Sequence, residues 1–472
     1  MDCCKTHEFD YDLAIIGSGS AAFAAAIKAS ELNKTVLMIE KSELGGTCVN
    51  FGCVPSKTLI RAAEAKHKAE HFNFKGLSSG PAKLDFEMLI NEKQALVESL
   101  QKAKYQSVLE QYNKISFMQG HAQFQDANRL KVDGKIVSAE KIIIATGSHA
   151  VIPPVEGIDK ISYLTSKEAF ELDVLPETLA VVGGGYIALE IAQMFSRLGS
   201  KVTIIQRSEI LFQEDDEVSK YMTDYLRSEG IEILNHTSLV NVQAQPDGVK
   251  VLMHKHEEQI EKSFSKILFA TGRKANTKSL NLESAGVQVD KNGNILINEY
   301  GQTNITSIYA AGDVTPTPAL VYVAAYEGNL AAENAILGNK RKSDLNIVPW
   351  VIFTDPQVCG MGVSEAQAKA SNIEYDVSTL TLDNVPRSIT ARDTRGFIKL
   401  LRRTGTDQLI GARIVAPEGA ELLMELSLIM KYNIPLSEIG KTLHPYLTLS
   451  EGIKLAVQAF DKDIKLLSCC SD

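Results

Sequence analysis

No uninterrupted apolar run in this chain approaches the ~20 residues that cross a bilayer. The first residues, MDCCKTHEFDYD, also lack the apolar centre of a signal peptide. The expectation is a cytoplasmic protein with no membrane partner. A basic excess is missing as well: 49 Lys and Arg stand against 58 Asp and Glu, a net charge of −9. No nucleic-acid partner is expected. Cysteine is sparse and odd in number, seven in 472 residues, which excludes a secreted disulfide framework. The length gives room for two to four domains with real cores.

The seven cysteines are Cys3, Cys4, Cys48, Cys53, Cys359, Cys469 and Cys470. Three pairs and a singleton point to thiol chemistry. Cys359, in DPQVCGMG, reads as a small buried hydrophobe. Cys469 and Cys470 stand on a polar tail, KLLSCCSD, with little to pack against. Thiols placed there are open to oxidation, so a use for them must come from the rest of the chain.

Two segments carry a nucleotide-binding pattern. DLAIIGSGSAAFAAAIKA reads as a buried strand, a glycine-rich turn and an alanine-rich helix. Gly17 makes the tight turn, Gly19 lets backbone approach a pyrophosphate, and small Ala22 lets helix and strand close. A second strand, TVLMIE, ends at Glu40, where a carboxylate can accept from a ribose hydroxyl. The pattern recurs at LAVVGGGYIALEIAQMFSRLGSKVTIIQRSE, with Gly183, Gly185 and Ala188 in the same roles. Here the distal acid is replaced by Arg207, a cation suited to a 2′-phosphate. NADPH is therefore favoured over NADH. Gln213 stands where relatives that bind NADPH often place a second Arg, which weakens that preference without reversing it.

Two such sites imply a relay between a flavin and a nicotinamide. The first is the expected FAD site, because NITSIYAAGDV places Asp313 after a short strand, able to hold a ribityl chain. KIIIATGS and KILFATGR repeat at 141–148 and 266–273, as strand ends where the chain passes between domains. The expected architecture is α/β, with an NAD(P) domain at 151–271 inserted in a Rossmann-like FAD domain at 1–150 and 272–347. A C-terminal α+β interface domain with alternating strands and two helices follows at 348–472.

GGTCVNFGCVPSK holds the redox chemistry. Cys48 and Cys53 sit five apart, a spacing that on a helix's first turns brings two sulfurs within reach. Such a pair is a metal site or a redox disulfide. No neighbouring His or Cys completes a zinc site. Beside a flavin, a disulfide accepts two electrons and becomes a dithiol. Pro55 favours a helix start, and Lys57 is placed to approach the flavin.

With these motifs in place, the whole chain resembles the pyridine nucleotide–disulfide oxidoreductases. The resemblance implies that Cys48 exchanges with substrate and Cys53 lies against the flavin. It implies that Lys57 pairs with an acid of the nicotinamide domain, for which Glu190 in YIALE fits. It adds Thr47, Ala122, Thr146, Gly147, Gly272, Arg273 and Val321 as cofactor contacts. It further implies a homodimer in which the partner's C-terminal domain completes each active site.

One absence is decisive. Disulfide reductases of this family use a His–Glu pair to protonate the departing thiolate, in a pattern resembling HxHPTLSE. This chain reads His444-Pro-Tyr446-Leu-Thr-Leu-Ser-Glu451, which puts Tyr446 where that His belongs. A phenol with a pKa of about 10 is a poor proton shuttle at neutral pH. A soft metal ion needs thiolates and electrons but has no leaving thiol of its own. LDNVPRSITARDTRGFIKLL, YLTLSEGIKLAVQAF and LSCCSD are similar to the mercury(II)-reducing branch of the family. That likeness implies Hg(II), arriving as a thiolate complex, caught by Cys469 and Cys470 of the partner and passed to Cys48 and Cys53. Tyr186 and Tyr446 would border the site. Cys3-Cys4 is not the GMTCxxC motif that many such relatives carry. Two other readings remain: a reductase of organic disulfides, and a flavoprotein that sequesters metal without turnover.

Overall fold

The computed structural model describes residues 9–78 and 80–464. The pairs Cys3-Cys4 and Cys469-Cys470 lie outside the described residues. The architecture is α/β: a mixed, mainly parallel seven-stranded sheet, a parallel four-stranded sheet, and antiparallel sheets of three, two and five strands.

The central strands of the first sheet are near-continuous apolar runs, the mark of burial on both faces. Val36–Glu40 is buried at every position. Tyr11–Ile16 lies between it and Lys135–Ile144, parallel to both. Ile115–Gln119 extends one edge and Ile308–Ala310, from the NITSIYAAGDV segment, pairs along the other side. The second sheet is centred on Thr178–Val182, flanked in parallel by Lys201–Ile205 and Lys266–Phe269. Its residues fall between two short strands that pair with each other, Ser148–Ala150 and Arg273–Ala275. The chain thus leaves and re-enters through one antiparallel ribbon.

The two glycine-rich turns are geometric copies. Gly17 has φ +119° and Gly183 has φ +124°, both in the region that favours glycine. A Cβ on Gly17 would stand 2.3 Å from the Ala145 carbonyl oxygen, and one on Gly183 2.4 Å from that of Ala270. Ala145 and Ala270 open the two ATG triplets. The repetition in sequence therefore reflects one packing solution used twice.

The helix Ser20–Glu31 buries Ala21, Ala22, Ala25, Ala26 and Ala29. It packs against Val321–Leu337, where Ala331, Ala332 and Ala335 are buried in the same core. Gly328 sits at the closest approach: a Cβ there would lie 2.0 Å from the Ala21 carbonyl oxygen. The C-terminal sheet runs Trp350–Ile352, Gln357–Gly362, Leu409–Ala416, Phe397–Arg403, Tyr375–Thr381, antiparallel throughout. More than the two expected helices accompany it: Glu365–Ala370, Pro386–Thr390, Leu423–Lys431, Leu436–Lys441 and Glu451–Gln458. Each is under ten residues, too short for periodicity to separate from loop. Cys359 is fully buried in that unit's core, as expected, and burial pushes its thiol pKa up. No helix among the described residues is long and apolar enough to cross a membrane.

Alanine is the better helix former by about 1 kcal/mol, yet Gly328→Ala is expected to destabilise the protein by about 2 kcal/mol through overpacking. Differential scanning calorimetry checks this. A raised melting temperature would show that the two helices can part at no cost.

Candidate active site

Cys48 and Cys53 do not share a helix, contrary to what their spacing predicts. Cys48 lies on Gly46–Asn50, and Cys53 opens Cys53–Glu70. Gly52 explains the break. Its backbone, at φ −121° and ψ −113°, is far from helical. A Cβ there would stand 2.8 Å from the Thr47 carbonyl oxygen and 3.2 Å from the Cys48 Cα. The tight fold-back still brings the two sulfurs close enough for each to govern the acidity of the other. Pro55 occupies the first turn of the second helix, where its missing N–H costs nothing.

The two thiols are driven apart in acidity. The hydrogen bond from Cys48 lowers the Cys53 pKa to about 7, aided by the Lys57 ammonium and opposed by burial and by Glu190. The same hydrogen bond, with burial, pushes Cys48 up. One sulfur is poised as thiolate and the other as the thiol that donates to it. A thiolate is the competent nucleophile and soft-metal ligand.

Lys57 Nζ lies 2.7 Å from Glu190 Oε2. Glu190 is buried on the helix Tyr186–Leu198, and its other oxygen accepts the Phe353 N–H at 2.8 Å. Lys57 Nζ also stands 4.8 Å from the centre of the Phe353 ring. The ammonium beside the cysteines is thus fixed from the second sheet and from the C-terminal segment together. Phe353 was invisible to motif reading, since its role depends on a backbone N–H that any residue could supply.

The residues fit a dinucleotide at each glycine-rich turn. Gly19 and Gly185 precede helices with no side-chain cap, so the first-turn N–H groups remain available to phosphate oxygens. A Cβ on Gly46 would lie 2.7 Å from the Gly19 Cα, so the first turn and the start of the cysteine segment touch backbone to backbone. Ala22 and Ala188 are fully buried beneath their turns. Glu40 is engaged at both oxygens: Oε2 accepts from the Ser18 N–H and hydroxyl, Oε1 from the Ser42 N–H and hydroxyl. All four lone-pair positions are used, so a ribose hydroxyl would take the place of a serine rotor. Neither serine was singled out from sequence.

Downstream, Asp313 Oδ2 accepts from the Ser148 hydroxyl at 2.8 Å and lies 3.9 Å from Arg273 Nε. Arg273 also donates to Ser148 Oγ and to its carbonyl. Thr146 is held by Asn276, whose side-chain N–H₂ donates to the Thr146 carbonyl at 2.8 Å. Gly147 (φ +66°) and Gly272 (φ +118°) make the turns at the ends of the connecting ribbon. Thr47 is exposed beside Cys48, Val321 is exposed at the start of its helix, and Ala122 is buried in the sheet core. Arg207 is exposed just past the strand Lys201–Ile205.

The tyrosines and the nearby histidine are placed differently from one another. Tyr186 opens its helix and donates to Glu214 Oε1 at 3.0 Å. Tyr446 lies half exposed ahead of the helix Glu451–Gln458. Glu451 Oε2 accepts the Leu447 N–H at 3.3 Å, so this carboxylate closes a backbone turn. His444 is tied to Glu425 Oε1 at 2.9 Å inside the C-terminal unit. His67, near the end of the cysteine helix, and His71, just past it, stack on each other at 4.3 Å. His67 is 14 positions beyond Cys53, about 21 Å along a helix axis. A further aromatic group, missed from sequence, is Tyr105: its ring meets Phe23 edge-on at 4.8 Å, and burial, with the charge of both sulfurs, pushes its pKa up. It sits in a π-helical turn, Lys102–Gln106, of the kind that often re-aims a side chain at a functional site.

The pyridine nucleotide-disulphide oxidoreductase family matches residues 11–328, and that family's dimerisation domain matches residues 348–457. The chain belongs to the pyridine nucleotide-disulphide oxidoreductases. A mercuric reductase of Lysinibacillus sphaericus is 44% identical over 468 residues, 98% of this chain and 85% of the relative. A mercuric reductase of Staphylococcus aureus is 42% identical, covering 98% and 84%, and one of Streptomyces lividans is 41% identical, covering 98% and 98%. Among solved structures, the HOCl-induced flavoprotein disulfide reductase RclA from Escherichia coli superposes with a TM-score of 0.85 at 29% identity, over 95% of this chain and 99% of that one. Membership in this family implies FAD and a pyridine nucleotide as cofactors.

In the reduced protein, thiolate absorbance near 240 nm is expected to rise with an apparent pKa of about 7, because Cys53 is lowered. Below that pH Cys53 gains a proton. Lys57→Met removes the ammonium that favours the thiolate, so the midpoint should move up by about one unit or more. An unchanged midpoint in the variant would remove Lys57 from the account.

Proposed function

We propose that this chain is an NADPH-dependent flavoenzyme that reduces Hg(II) to elemental mercury, working as a cytoplasmic homodimer. Its division is taken as an FAD domain at 1–150 and 272–347, a nicotinamide domain at 151–271 and an interface domain from 348. One observation carries the choice of substrate. The dithiol is retained in a thiolate-forming setting, while the position that serves organic disulfides holds Tyr446, and Glu451 is engaged by backbone. The full-length likeness to mercuric reductases supports the same reading.

The chain's residues act as follows. Hg(II) arrives as a thiolate complex at Cys469 and Cys470 of the partner subunit and passes to Cys48 and Cys53 by ligand exchange. Cys48 is the sulfur that exchanges first, and Cys53, lowered toward its thiolate, follows as the second ligand. Cys48 loses its proton as it joins the metal, and an outgoing ligand can carry that proton away. Lys57, held by Glu190, balances the negative charge that two thiolates bring. Gly17, Gly19, Ala22, Glu40 and Asp313 would hold the flavin. Gly183, Gly185, Ala188 and Arg207 would hold the nucleotide. When bound, these cofactors supply the electron pair that converts Hg(II) to a neutral atom and leaves both sulfurs on the protein. Thiolates select soft cations by polarisability, and the neutral product has little hold on them.

With excess small thiol, NADPH consumption is expected to continue well past one equivalent of Hg(II) per subunit, with mercury vapour released. Consumption that stops at one equivalent would instead identify a sequestering protein. Cys53→Ser should abolish vapour release. Deleting Cys469 and Cys470 should slow turnover of thiol-bound Hg(II), and an unchanged rate would remove the tail from the pathway. Tyr446→His should confer measurable turnover of an organic disulfide such as lipoamide. A wild-type protein that already turns over lipoamide at ordinary enzyme rates would overturn the mercury assignment.

A further inference from the structure

Arg207 is the one cation that the loop after the strand Lys201–Ile205 offers a 2′-phosphate, since Gln213 supplies no second charge. Its side chain is exposed and makes no ion pair among the described residues. The acid nearest to it in sequence is Glu209, two positions on. A carboxylate there is a ready partner for the guanidinium and a poor neighbour for a phosphate.

Glu209 is instead held at both oxygens from another strand's end. Its Oε1 lies 2.8 Å from His236 Nε2, and its Oε2 accepts from the side-chain amide of Asn235. A carboxylate only accepts, so the imidazole presents an N–H at that contact. Asn235 and His236 follow the strand Glu232–Leu234, which runs parallel beside Lys201–Ile205.

Two details show that this capture is built and not incidental. The pairing of the two strands continues into the segments beyond them. Gln206 N–H donates to the Leu234 carbonyl at 3.0 Å, Thr237 N–H to the Gln206 carbonyl at 2.9 Å, and His236 N–H reaches the Ser208 carbonyl at 3.5 Å. The turn that carries the captors is also held in an unfavourable state. His236 has φ +54°, in the left-handed region, and Asn235 is buried with its Oδ1 lacking a hydrogen-bond partner among the described residues. Strain of this kind persists where the surroundings enforce it, and it often marks function.

The residues beside Arg207 are tied in as well. Gln206 Nε2 donates to Ser208 Oγ at 2.8 Å, and Ser208 Oγ donates to the Glu209 carbonyl at 3.1 Å. Arg207 therefore stands free between neighbours that are all engaged.

We propose that His236 and Asn235 sequester Glu209 and so keep Arg207 open for the 2′-phosphate of NADPH. The proposal rests on the nucleotide site and the NADPH preference assigned above. It makes the turn 235–236 a determinant of nucleotide choice. His236 and Asn235 are positioning residues, acting through Glu209 on Arg207. With Gln213 neutral, a single guanidinium carries the discrimination, so its neutralisation by a neighbouring acid would be felt in full.

The test measures binding of NADP⁺ and NAD⁺ to the FAD-loaded protein by isothermal titration calorimetry, which needs no mercury turnover. The wild type should bind NADP⁺ more tightly than NAD⁺. His236→Leu frees the carboxylate to pair with Arg207. It should weaken NADP⁺ about three- to fivefold at low salt, the size of an exposed ion pair formed in competition. NAD⁺ should be unaffected, and high salt should shrink the NADP⁺ loss. Adding Glu209→Gln to His236→Leu should restore NADP⁺ binding. In an Arg207→Gln background, His236→Leu should have no further effect on NADP⁺. Unmoved NADP⁺ affinity in His236→Leu would overturn the capture. A loss that falls equally on NAD⁺, that Glu209→Gln does not repair, or that persists without Arg207 would overturn it too, because each marks a merely structural role. A wild type that binds NAD⁺ as tightly as NADP⁺ would overturn the NADPH preference itself, and the capture with it.

Discussion

The ion pair between Lys57 and Glu190 lies beside an apolar core that three parts of the chain share, where Leu59 and Ala63 pack with Val181 and Ile191 and with Ile352 and Val358. Lys57 rides on the helix that Cys53 begins, Glu190 on the helix of the second glycine-rich turn, and the Phe353 N–H reaches Glu190 from the C-terminal unit. A buried carboxylate without such partners would be costly, and removing one member of a buried pair typically costs about 3–5 kcal/mol. The pair therefore does two things with one geometry. It holds three units in register, and it sets a positive charge where a thiolate must form. Cys53 is acidic because its neighbours are fixed, and they are fixed because the domains close on them.

A second set of contacts repeats this logic further from the sulfurs. Lys399, fully buried in the C-terminal sheet, meets Asp215 at 3.2 Å and Glu217 at 2.8 Å, both at the start of the helix Asp216–Ser228, and also contacts Glu365. Arg197 pairs with Glu229 at 2.7 Å and with Asp355 at 3.0 Å. Buried charges are poor sources of net stability but strict about geometry. Their concentration on the face between the second sheet and the C-terminal unit fixes one orientation there.

Sequence reading reached whatever depends on backbone pattern. The glycine turns, the ATG strand ends and the cysteine string each impose a local geometry that few residues can meet, so their letters reveal their structure. Gly17 and Gly183 are legible because a side chain there would strike a carbonyl oxygen. Lys57 with Glu190 was legible only through family likeness, since 133 positions separate the two. Contacts made by common residues left no trace. Glu214 and Phe353 take their roles from tertiary placement, and Ser18 and Ser42 from the rotor freedom of a hydroxyl. The cysteine segment misled because its spacing suits one helix, while Gly52 permits a fold-back that spacing alone does not encode.

The segment around Tyr446 sits in an exposed apolar face. Leu443 is 90% exposed, and Met424, Leu428, Tyr432 and Leu447 are exposed on neighbouring elements. An apolar face of this kind marks a surface meant for contact, and the dimerisation domain covers these residues. Glu451 is the informative member. A carboxylate that would orient an imidazole is, with a phenol in its place, taken up by the Leu447 N–H at the start of its own helix. It therefore steadies the turn that presents Tyr446. The substitution changes what the face offers an incoming ligand: a weak acid and an apolar ring where a proton shuttle would stand. Such a surface suits the exchange of one thiolate for another around a metal better than the cleavage of a sulfur–sulfur bond, because exchange keeps the charge on sulfur and requires no obligatory general acid.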